Sequence, residues 1–376
     1  MLICPSLVAV HDENLLNILL AYSASHRAHL LSHPPPSNRI AAYVENVFPH
    51  LRKSLETQDI STSTLSTAIM LASLEIVAPN TFGIQIPWRT HLSIARQMII
   101  ARGPQPIHRE DKALFFLNRW FSYLDVLGSL SGCKTESPIA AGYWASTPSV
   151  VDDEDDYQID CLFGYTGRFV TIIARIAELV KRVEAQRVMD NGEFDPNWKP
   201  SEDIVAAAEE LKARIREGRE HVVKGCPHRR KGSSTSTAGW MDPQECADNW
   251  DAMQLFSANE AFHWAGYIHL TQRVLAQPKE DPDVQTAVKQ IVGALYKVKK
   301  GGSAEACLLF AMFTAGVYSV EDKVRERIME RLGGAAGFGM DHVSFFLLFL
   351  KIRRKPALIK SSPANALHSS LSKHAR

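Results

Sequence analysis

Hydrophobic side chains recur along most of this chain at the spacing of an α-helix, and no segment shows the convincing alternation of apolar and polar residues that is typical of a strand. Residues 61–77 are apolar on nearly every side, since Leu65 and Ile69 share one face while Met70 and Leu74 share another. Such a helix must be buried, so we predict a central helix here. The pattern as a whole predicts an all-α fold in which amphipathic helices pack around buried central ones.

Further helices follow from the same periodicity and from residues that end helices. The segment that begins at Trp88 keeps its apolar residues on one side and ends at Gly103-Pro104, a combination typical of a helix C-terminus. Leucine and aromatic side chains fill residues 111–130, which predicts another buried helix. The remaining predicted helices cover residues 169–183, 204–215, 246–276, 282–299, 304–317, 320–332 and 341–351.

Two polar segments interrupt or follow this helical pattern. Residues 224–239 combine a basic cluster with a run of Gly, Ser and Thr, a composition that cannot bury enough apolar surface to offset the entropy of ordering it. The residues that follow Lys355-Pro356 are polar and rich in serine. We therefore predict one helical domain over residues 1–355 with a flexible loop at about 224–239, and a disordered tail over residues 356–376.

Composition and charge narrow the class of protein. With 45% hydrophobic residues among 376, the chain can bury a large core. Its 42 basic and 41 acidic side chains leave a formal charge of +1, so no global field attracts nucleic acid or anionic lipid. The six cysteines occur singly, as is typical of a reducing compartment. Apolar runs fall far short of the ~20 residues that a spanning helix needs, so we expect a soluble intracellular protein.

The acidic run that begins at Asp152 and ends at Asp156 is the sharpest candidate for catalysis. It fits the D-D-x-x-D pattern with which all-α terpene synthases hold magnesium against a diphosphate. Such an enzyme also needs a second N/D-D-x-x-S/T-x-x-x-E cluster, and residues 248–260 lack its spacing. A solvated acidic loop is therefore the favoured interpretation. A class I terpene synthase-like enzyme that uses this cluster is the alternative function.

Three histidines have the spacing of a metal site. His26, His29 and His33 fall on one helical face, as transition-metal ligands do. No carboxylate or cysteine lies within the same turns, and histidines near a helix C-terminus are favoured there without any metal. We therefore predict a surface or capping role and no metal site.

Two other motifs lack the surroundings that their chemistry requires. Tyr296 and Lys300 satisfy Y-x-x-x-K, but no dinucleotide-binding glycine motif accompanies them. The G-S-L-S-G segment at residues 128–132 does not place serine where a nucleophile elbow has it, and no predicted strand precedes it. We predict no catalytic, cofactor-binding or metal-binding residue in this chain, and no enzymatic activity.

With catalysis disfavoured, the order of several segments becomes informative. Residues 14–27, 64–76 and 88–96, followed by the run RWFSYLDVLGSLSG at residues 119–132, resemble in that order the fungal-specific transcription factor domain. The similarity continues through residues 160–165 and, more weakly, at 313–317. This resemblance implies an all-α regulatory region of a zinc-cluster transcription factor, in which a separate six-cysteine module binds DNA.

The cysteine pattern departs from that family architecture. The zinc module spaces its ligands as C-x2-C-x6-C twice over, and none of the cysteines here has that spacing. We therefore expect zinc only in an N-terminal module absent from this chain, and no sequence-specific DNA binding by this chain alone. An internal start in the gene model, a truncated protein and a regulator that acts through partners all remain open.

The resemblance also implies where and with what the chain acts. It predicts a regulator of RNA polymerase II genes in a fungal nucleus, whose partners are the transcription machinery or a DNA-binding protein and which has no contact with membranes. A homodimer and a small-molecule effector are both left open. The basic runs at residues 228–231 and 351–355 are candidate nuclear import signals.

Overall fold

The structure of the protein is a computed structural model that describes residues 11–77, 88–103, 112–130, 157–160, 163–187, 197–221 and 250–336, together with positions 189, 195 and 223. Within these residues the regular structure is helical, and the extended pairing is limited to an isolated bridge between Ile159 and Thr166. The predicted all-α fold is confirmed.

The helices are numbered in chain order. They are α1 (Glu13–Leu30), α2 (Ser37–Val44), α3 (Val47–Thr57), α4 (Thr62–Val77), α5 (Trp88–Arg102), α6 (Lys112–Leu130), α7 (Gly167–Arg187), α8 (Glu202–Glu220), α9 (Trp250–His269, continued by a π-helical turn at Leu270–Val274), α10 (Pro282–Tyr296), α11 (Ser303–Cys307), α12 (Leu309–Tyr318) and α13 (Asp322–Ala336).

The chain divides into two compact units. Unit 1 comprises Met1–Gly128 with Ala336–Phe345, and unit 2 comprises Ser129–Ala335 with Phe346–Arg376. The prediction of one domain over residues 1–355 stays a prediction. The expected loop at 224–239 and the expected tail at 356–376 lie outside the described residues.

Helix α4 is the buried centre of unit 1. Residues 64–75 are buried on every side of the helix, as its apolar sequence predicts. Ser61 caps its start, since the Ser61 Oγ accepts a hydrogen bond from the backbone N–H of Thr64 at 3.1 Å. Helices α1, α3 and α5 pack against α4. Helix α5 ends where predicted, at Gly103, whose φ of +73° is a left-handed conformation that glycine adopts at little cost.

Helix α9 is the buried centre of unit 2. Helices α7, α8, α10, α11 and α12 all pack against it. Phe169 of α7 and Phe262 of α9 are both fully buried, with ring centroids 5.8 Å apart. Burying a side chain of this size stabilises a fold by about 1.5–3 kcal/mol. The helix predicted over residues 246–276 is described from Trp250 onward. Its last turn is π-helical instead of α-helical.

Helices α7 and α8 lie antiparallel, with a ladder of arginine–carboxylate pairs between them. Each step of seven residues forward along α7 matches a step of seven backward along α8, which is the register of two antiparallel helices facing one another. The pairs are Arg168 with Glu217 at 2.5 Å, Arg175 with Glu210 at 3.7 Å, and Arg182 with Asp203. These side chains are largely exposed, so the pairs set the register more than they add stability.

Some boundaries differ from the predicted ones. The segment 304–317 forms two helices, α11 and α12, because the α-helical hydrogen bonding breaks at Leu308. Helices α2 and α3 occupy a stretch for which the sequence pattern made no prediction. The helix predicted at 341–351 lies outside the described residues. None of the helices that the structure describes is long and apolar enough to cross a membrane.

Candidate functional site

The central helix of unit 2 carries polar side chains into the protein interior. Gln254, Ser257, Asn259, His263 and His269 are all buried. Burying a polar group costs free energy unless it finds a hydrogen-bond partner, so each of these side chains constrains how its neighbours pack. This buried polar core is the candidate functional site of the chain.

His263 is fully buried in a single neutral form. Its Nδ1 lies 2.8 Å from the carbonyl oxygen of Asn259, one turn earlier in α9. Because a carbonyl oxygen only accepts, Nδ1 carries the hydrogen and Nε2 carries a lone pair. Burial lowers the pKa of His263 to about 4, so the ring is neutral at pH 7.

Gly218 allows α8 to approach α9 at the edge of this ring. A β-carbon at Gly218 would lie 2.7 Å from Nε2 of His263. The ring has little room to move, because Nδ1 is hydrogen-bonded and the ring of Phe169 lies 4.6 Å away, centroid to centroid. The next residue, Arg219, places its guanidinium 3.6 Å from the ring centroid of Trp264, a cation–π contact. Together these contacts fix the position of α8 on α9.

His269 joins the end of α9 to α12. Its Nε2 lies 3.0 Å from the hydroxyl of Thr314, and its ring stacks on Phe310 with centroids 5.1 Å apart. Burial, and to a lesser extent the positive charge of Arg273, lower the pKa of His269 to about 3. The ring is therefore a neutral, hydrogen-bonded link between the two helices.

A second link, the Glu305 clasp, closes the turn between α10 and α11. The carboxylate of Glu305 is fully buried and accepts a hydrogen bond from the backbone N–H of Gly301 at 2.6 Å. It also pairs with Arg331 of α13, which donates to the carbonyl oxygen of Val298 at 2.9 Å. Gly301 has a φ of +74°, which favours glycine at this turn. One buried carboxylate thus holds the turn and α13 together.

Arg273 makes a third link from the π-helical turn. Its guanidinium pairs with the carboxylate of Glu184 on α7 and donates to the carbonyl oxygen of Leu130. The two charged side chains are only 15% and 20% exposed, so water screens the pair weakly. The π-helical turn at the end of α9 therefore carries the arginine that links α9 to α7.

Unit 1 contains a comparable link inside the aromatic run. Arg96 of α5 pairs with Asp125 of α6, whose carboxylate is fully buried. Arg89 donates to the carbonyl oxygen of Gly128, and a β-carbon at Gly128 would lie 2.5 Å from the ring of Trp88. Asp125 and Gly128 of this run therefore help to pack α5 against α6.

These buried groups form no activated nucleophile or base within the part of the chain that the structure describes. His263 and His269 are neutral and enclosed, and Glu305 is paired with a cation. Burial raises the pKa of the Cys307 thiol to about 11, so it stays protonated and weakly nucleophilic. What the arrangement can do is hold the helices of unit 2 in one specific packing, because each link is lost if its helix moves.

The three histidines of the N-terminal helix do not come together as a metal site. His26 and His29 lie in the last turns of α1, whereas His33 follows the end of the helix. Among the described residues, no three His, Cys, Asp or Glu side chains are placed to hold a metal ion. His29 is one of the two basic residues in the last turn of α1, and the capping role stays a prediction.

The remaining motifs either have other surroundings than their chemistry requires or lie outside the described residues. Tyr296 is the last residue of α10 and is 64% exposed, while Lys300 pairs with Glu330 at 2.7 Å. Ser129 is buried within α6, so it does not stand on a strand-to-helix turn. The acidic cluster at 152–156 and the basic runs at 228–231 and 351–355 lie outside the described residues. The terpene synthase alternative therefore stays untested.

Sequence reasoning missed the buried polar residues that matter most here. A single histidine in an apolar helix, such as His263 or His269, indicates at most that the side chain is buried. The partner of His269, Thr314, lies 45 positions along the chain. The usable signal was the glycine in the last turn of α8, since a glycine inside a helix often marks a close approach of another element.

In each of the two units, buried polar contacts of this kind hold α-helices in one packing. The model of the fungal specific transcription factor domain family matches residues 7–340, which include most of both units. No curated protein and no solved structure matches the chain. The chain belongs to this family, which confirms the resemblance that its sequence shows. It is therefore a fungal transcription regulator.

Proposed function

We propose that this chain regulates genes transcribed by RNA polymerase II in a fungal nucleus, through contacts of its helical domain with the transcription machinery or with a DNA-binding partner. The observation that carries the proposal is the family match over residues 7–340. Because this match runs through both units, the regulatory domain takes up most of the chain.

The buried polar core supports a role in binding other proteins. Contacts such as the Glu305 clasp and the His269–Thr314 link favour one packing of the helices over others. A fixed packing presents a preorganised surface, which lowers the entropic cost of binding a partner. A small molecule that changed this packing would act as an effector on the same surface.

Catalysis and cofactors have no part in this proposal. Its exclusion of catalysis rests on His263 and His269, which are buried, neutral and occupied in packing. The zinc of the wider family belongs to a six-cysteine module, and the cysteines of this chain do not have its spacing.

A tethering experiment tests the regulatory role. The full chain is fused to a DNA-binding domain of known specificity and directed to a reporter promoter in a fungal cell. We expect reporter transcription to change relative to the DNA-binding domain alone. The matched control is the same fusion with Phe262→Asp, which places a charge in the centre of unit 2 and should remove the effect.

The contradicting outcome is a well-expressed fusion that leaves the reporter unchanged in both an activation and a repression format. A Phe262→Asp fusion as active as the unmodified one would contradict the role of unit 2. Protein level and occupancy of the promoter are measured in parallel, so that a lost fusion is not mistaken for an inactive one.

On DNA, we expect the full chain alone to bind weakly, without sequence preference, and to be released as salt rises. The formal charge of +1 gives no strong global attraction, and contacts to phosphates weaken with salt as counterions compete. Titration of DNA duplexes of different sequence at several salt concentrations checks this. A sequence-specific complex that survives physiological salt would contradict it.

A further inference from the structure

Helix α1 presents an exposed row of leucines on the surface of unit 1. Leu16, Leu20 and Leu30 are 43%, 40% and 52% exposed, and Leu31, which follows the helix, is 50% exposed. The opposite face of α1 packs against the rest of unit 1, because Ile18 and Ala21 on that face are fully buried. Helix α1 therefore has two apolar faces, and the rest of unit 1 covers one of them.

The exposed face has the regular spacing of a helix–helix interface. Its residues follow one another in steps of three and four, which keeps them on a single stripe along the helix. In order they are Glu13, Leu16, Leu20, Ser23, Arg27 and Leu30, with Ser23 and both charged residues exposed like the leucines. We call this set the α1 stripe.

The two ends of the α1 stripe carry opposite charges. Glu13 is in the first turn of α1 and Arg27 is in the last. They are 14 positions apart, about 21 Å along a helix, so they cannot pair with each other. Neither forms an ion pair with another residue that the structure describes. Each charge thus faces solvent at one end of an apolar row.

Such a stripe is complementary to a copy of itself in one orientation. If two α1 helices pack antiparallel, the Glu13 end of each meets the Arg27 end of the other, and the leucines meet between them. A parallel arrangement would instead place Glu13 beside Glu13 and Arg27 beside Arg27, which is unfavourable. The small side chain of Ser23 leaves room for a leucine of the other copy near the centre.

We propose that the α1 stripe is a self-association surface, on which a second copy of this chain binds antiparallel about a two-fold axis that passes near Leu20. A two-fold interface of this kind uses the same patch on both copies. The stripe covers little more than two heptads, whereas an independent coiled coil needs three or four. The interface is therefore small, and we expect the dimer to form reversibly with a dissociation constant of about 1–100 μM.

Sedimentation equilibrium of the purified full chain tests this surface. We expect a monomer–dimer equilibrium that depends on protein concentration. The variant with both Leu16→Glu and Leu20→Glu should raise the dissociation constant by more than about tenfold, because it places charges at the centre of the interface. The matched control is Ile100→Glu, since Ile100 is 62% exposed on α5 of the same unit and is not part of the stripe. It should leave the equilibrium unchanged.

Exchanging the charges of Glu13 and Arg27 distinguishes contact between two copies from effects within one helix. Glu13→Arg alone and Arg27→Glu alone each place like charges opposite one another in the antiparallel dimer, so each should weaken it. The double variant restores opposite charges across the two-fold axis and should dimerise more tightly than either single variant. Charge effects within one helix predict the reverse, because both changes oppose the helix dipole and their damage accumulates. Rescue by the double variant therefore reports contact between copies.

Three outcomes would overturn the proposal. One is a chain that stays monomeric up to about 100 μM, the upper end of the expected range of dissociation constants. Another is a dimer that ignores the leucine variant or responds equally to Ile100→Glu. The third is a double charge variant that associates more weakly than both single ones. Circular dichroism of each variant shows that it is folded, and the test does not depend on the regulatory role.

Discussion

Replacing Gly218 by alanine probes the contact between α8 and α9 directly. The added methyl group would lie 2.7 Å from Nε2 of His263, well inside van der Waals contact. Extra volume in a packed core costs about 1–3 kcal/mol, whereas alanine in place of glycine stabilises a helix by up to about 1 kcal/mol. Gly218→Ala should therefore destabilise unit 2 by about 1 kcal/mol.

The sign of the effect should reverse when the histidine is removed. In a His263→Ala background the clash is gone, and the methyl group of Gly218→Ala occupies part of the vacated space. The same substitution should then stabilise unit 2 by up to about 1 kcal/mol, through helix propensity alone. The coupling between the two positions is thus about 2 kcal/mol, large enough to measure by a double-mutant cycle.

Hydrogen exchange, followed by mass spectrometry in a urea series, is the suitable assay because it reports the opening of α8 and α9 separately from unit 1. Gly293→Ala in α10 is the matched control, since a β-carbon there has no other atom within 4 Å. It should stabilise unit 2 in both backgrounds. If Gly218→Ala stabilises the wild-type chain as much as Gly293→Ala does, the close approach of α8 to His263 is refuted.

Three further changes test other parts of the buried core. Acidification should destabilise unit 2, because the unfolded chain protonates His269 near its ordinary pKa of 6.5 while the folded pKa is about 3; its contribution is complete above pH 6.5 and falls by up to about 2 kcal/mol by pH 5. His269→Gln should reduce this pH dependence in urea titrations. Glu305→Ala should lower the free energy of unfolding by about 3 kcal/mol, because it leaves the Arg331 charge poorly compensated. Arg175→Glu should cost less than about 1 kcal/mol, and adding Glu210→Arg should restore the loss.

Each of these changes has a matched comparison. An unchanged pH dependence in His269→Gln would show that this ring does not titrate on unfolding. For Glu305→Ala the control is Lys300→Ala, which breaks only the exposed pair with Glu330 and should cost less than about 1 kcal/mol. Equal losses in the two variants would contradict the importance of the clasp. Failure of Glu210→Arg to rescue Arg175→Glu would contradict the register of α7 on α8.

Periodicity and helix-ending residues were enough to predict the helices that are densest in apolar side chains. Residues 61–77 form a buried central helix because the helix has no continuous polar face that could be exposed to solvent. The end of α5 at Gly103 was also predictable, because glycine is the residue that most readily takes a left-handed conformation. The break at Leu308 was not, since apolar residues continue through it without a local signal.

Partners that are distant along the chain could not be predicted. Arginines at 168, 175 and 182 and carboxylates at 203, 210 and 217 repeat at seven-residue steps in the sequence, yet this spacing alone does not say that the two helices pair. The same holds for Glu305 and Arg331, because a sequence gives the charge of each residue but not the turn that brings them together. Tertiary packing determines which of these charged side chains come into contact.

The regulatory role was accessible to sequence reasoning by a different route. No arrangement of chemical groups points to transcription, since the described core consists of packing residues and buried polar links. The order of segments such as residues 64–76 and 119–132 carried the resemblance, and the family match over residues 7–340 confirmed it. Partners and target genes leave no comparable mark on the described residues.

Rapid depletion of the protein in its fungal host, followed by sequencing of nascent RNA, tests the central claim most directly. The regulatory account predicts that a defined set of RNA polymerase II transcripts changes within minutes of depletion, before secondary effects accumulate. Expression of a depletion-resistant copy should reverse the change, whereas a copy with Phe262→Asp in unit 2 should not. Nascent transcription that stays unchanged after complete depletion would contradict the claim that this chain is a transcriptional regulator.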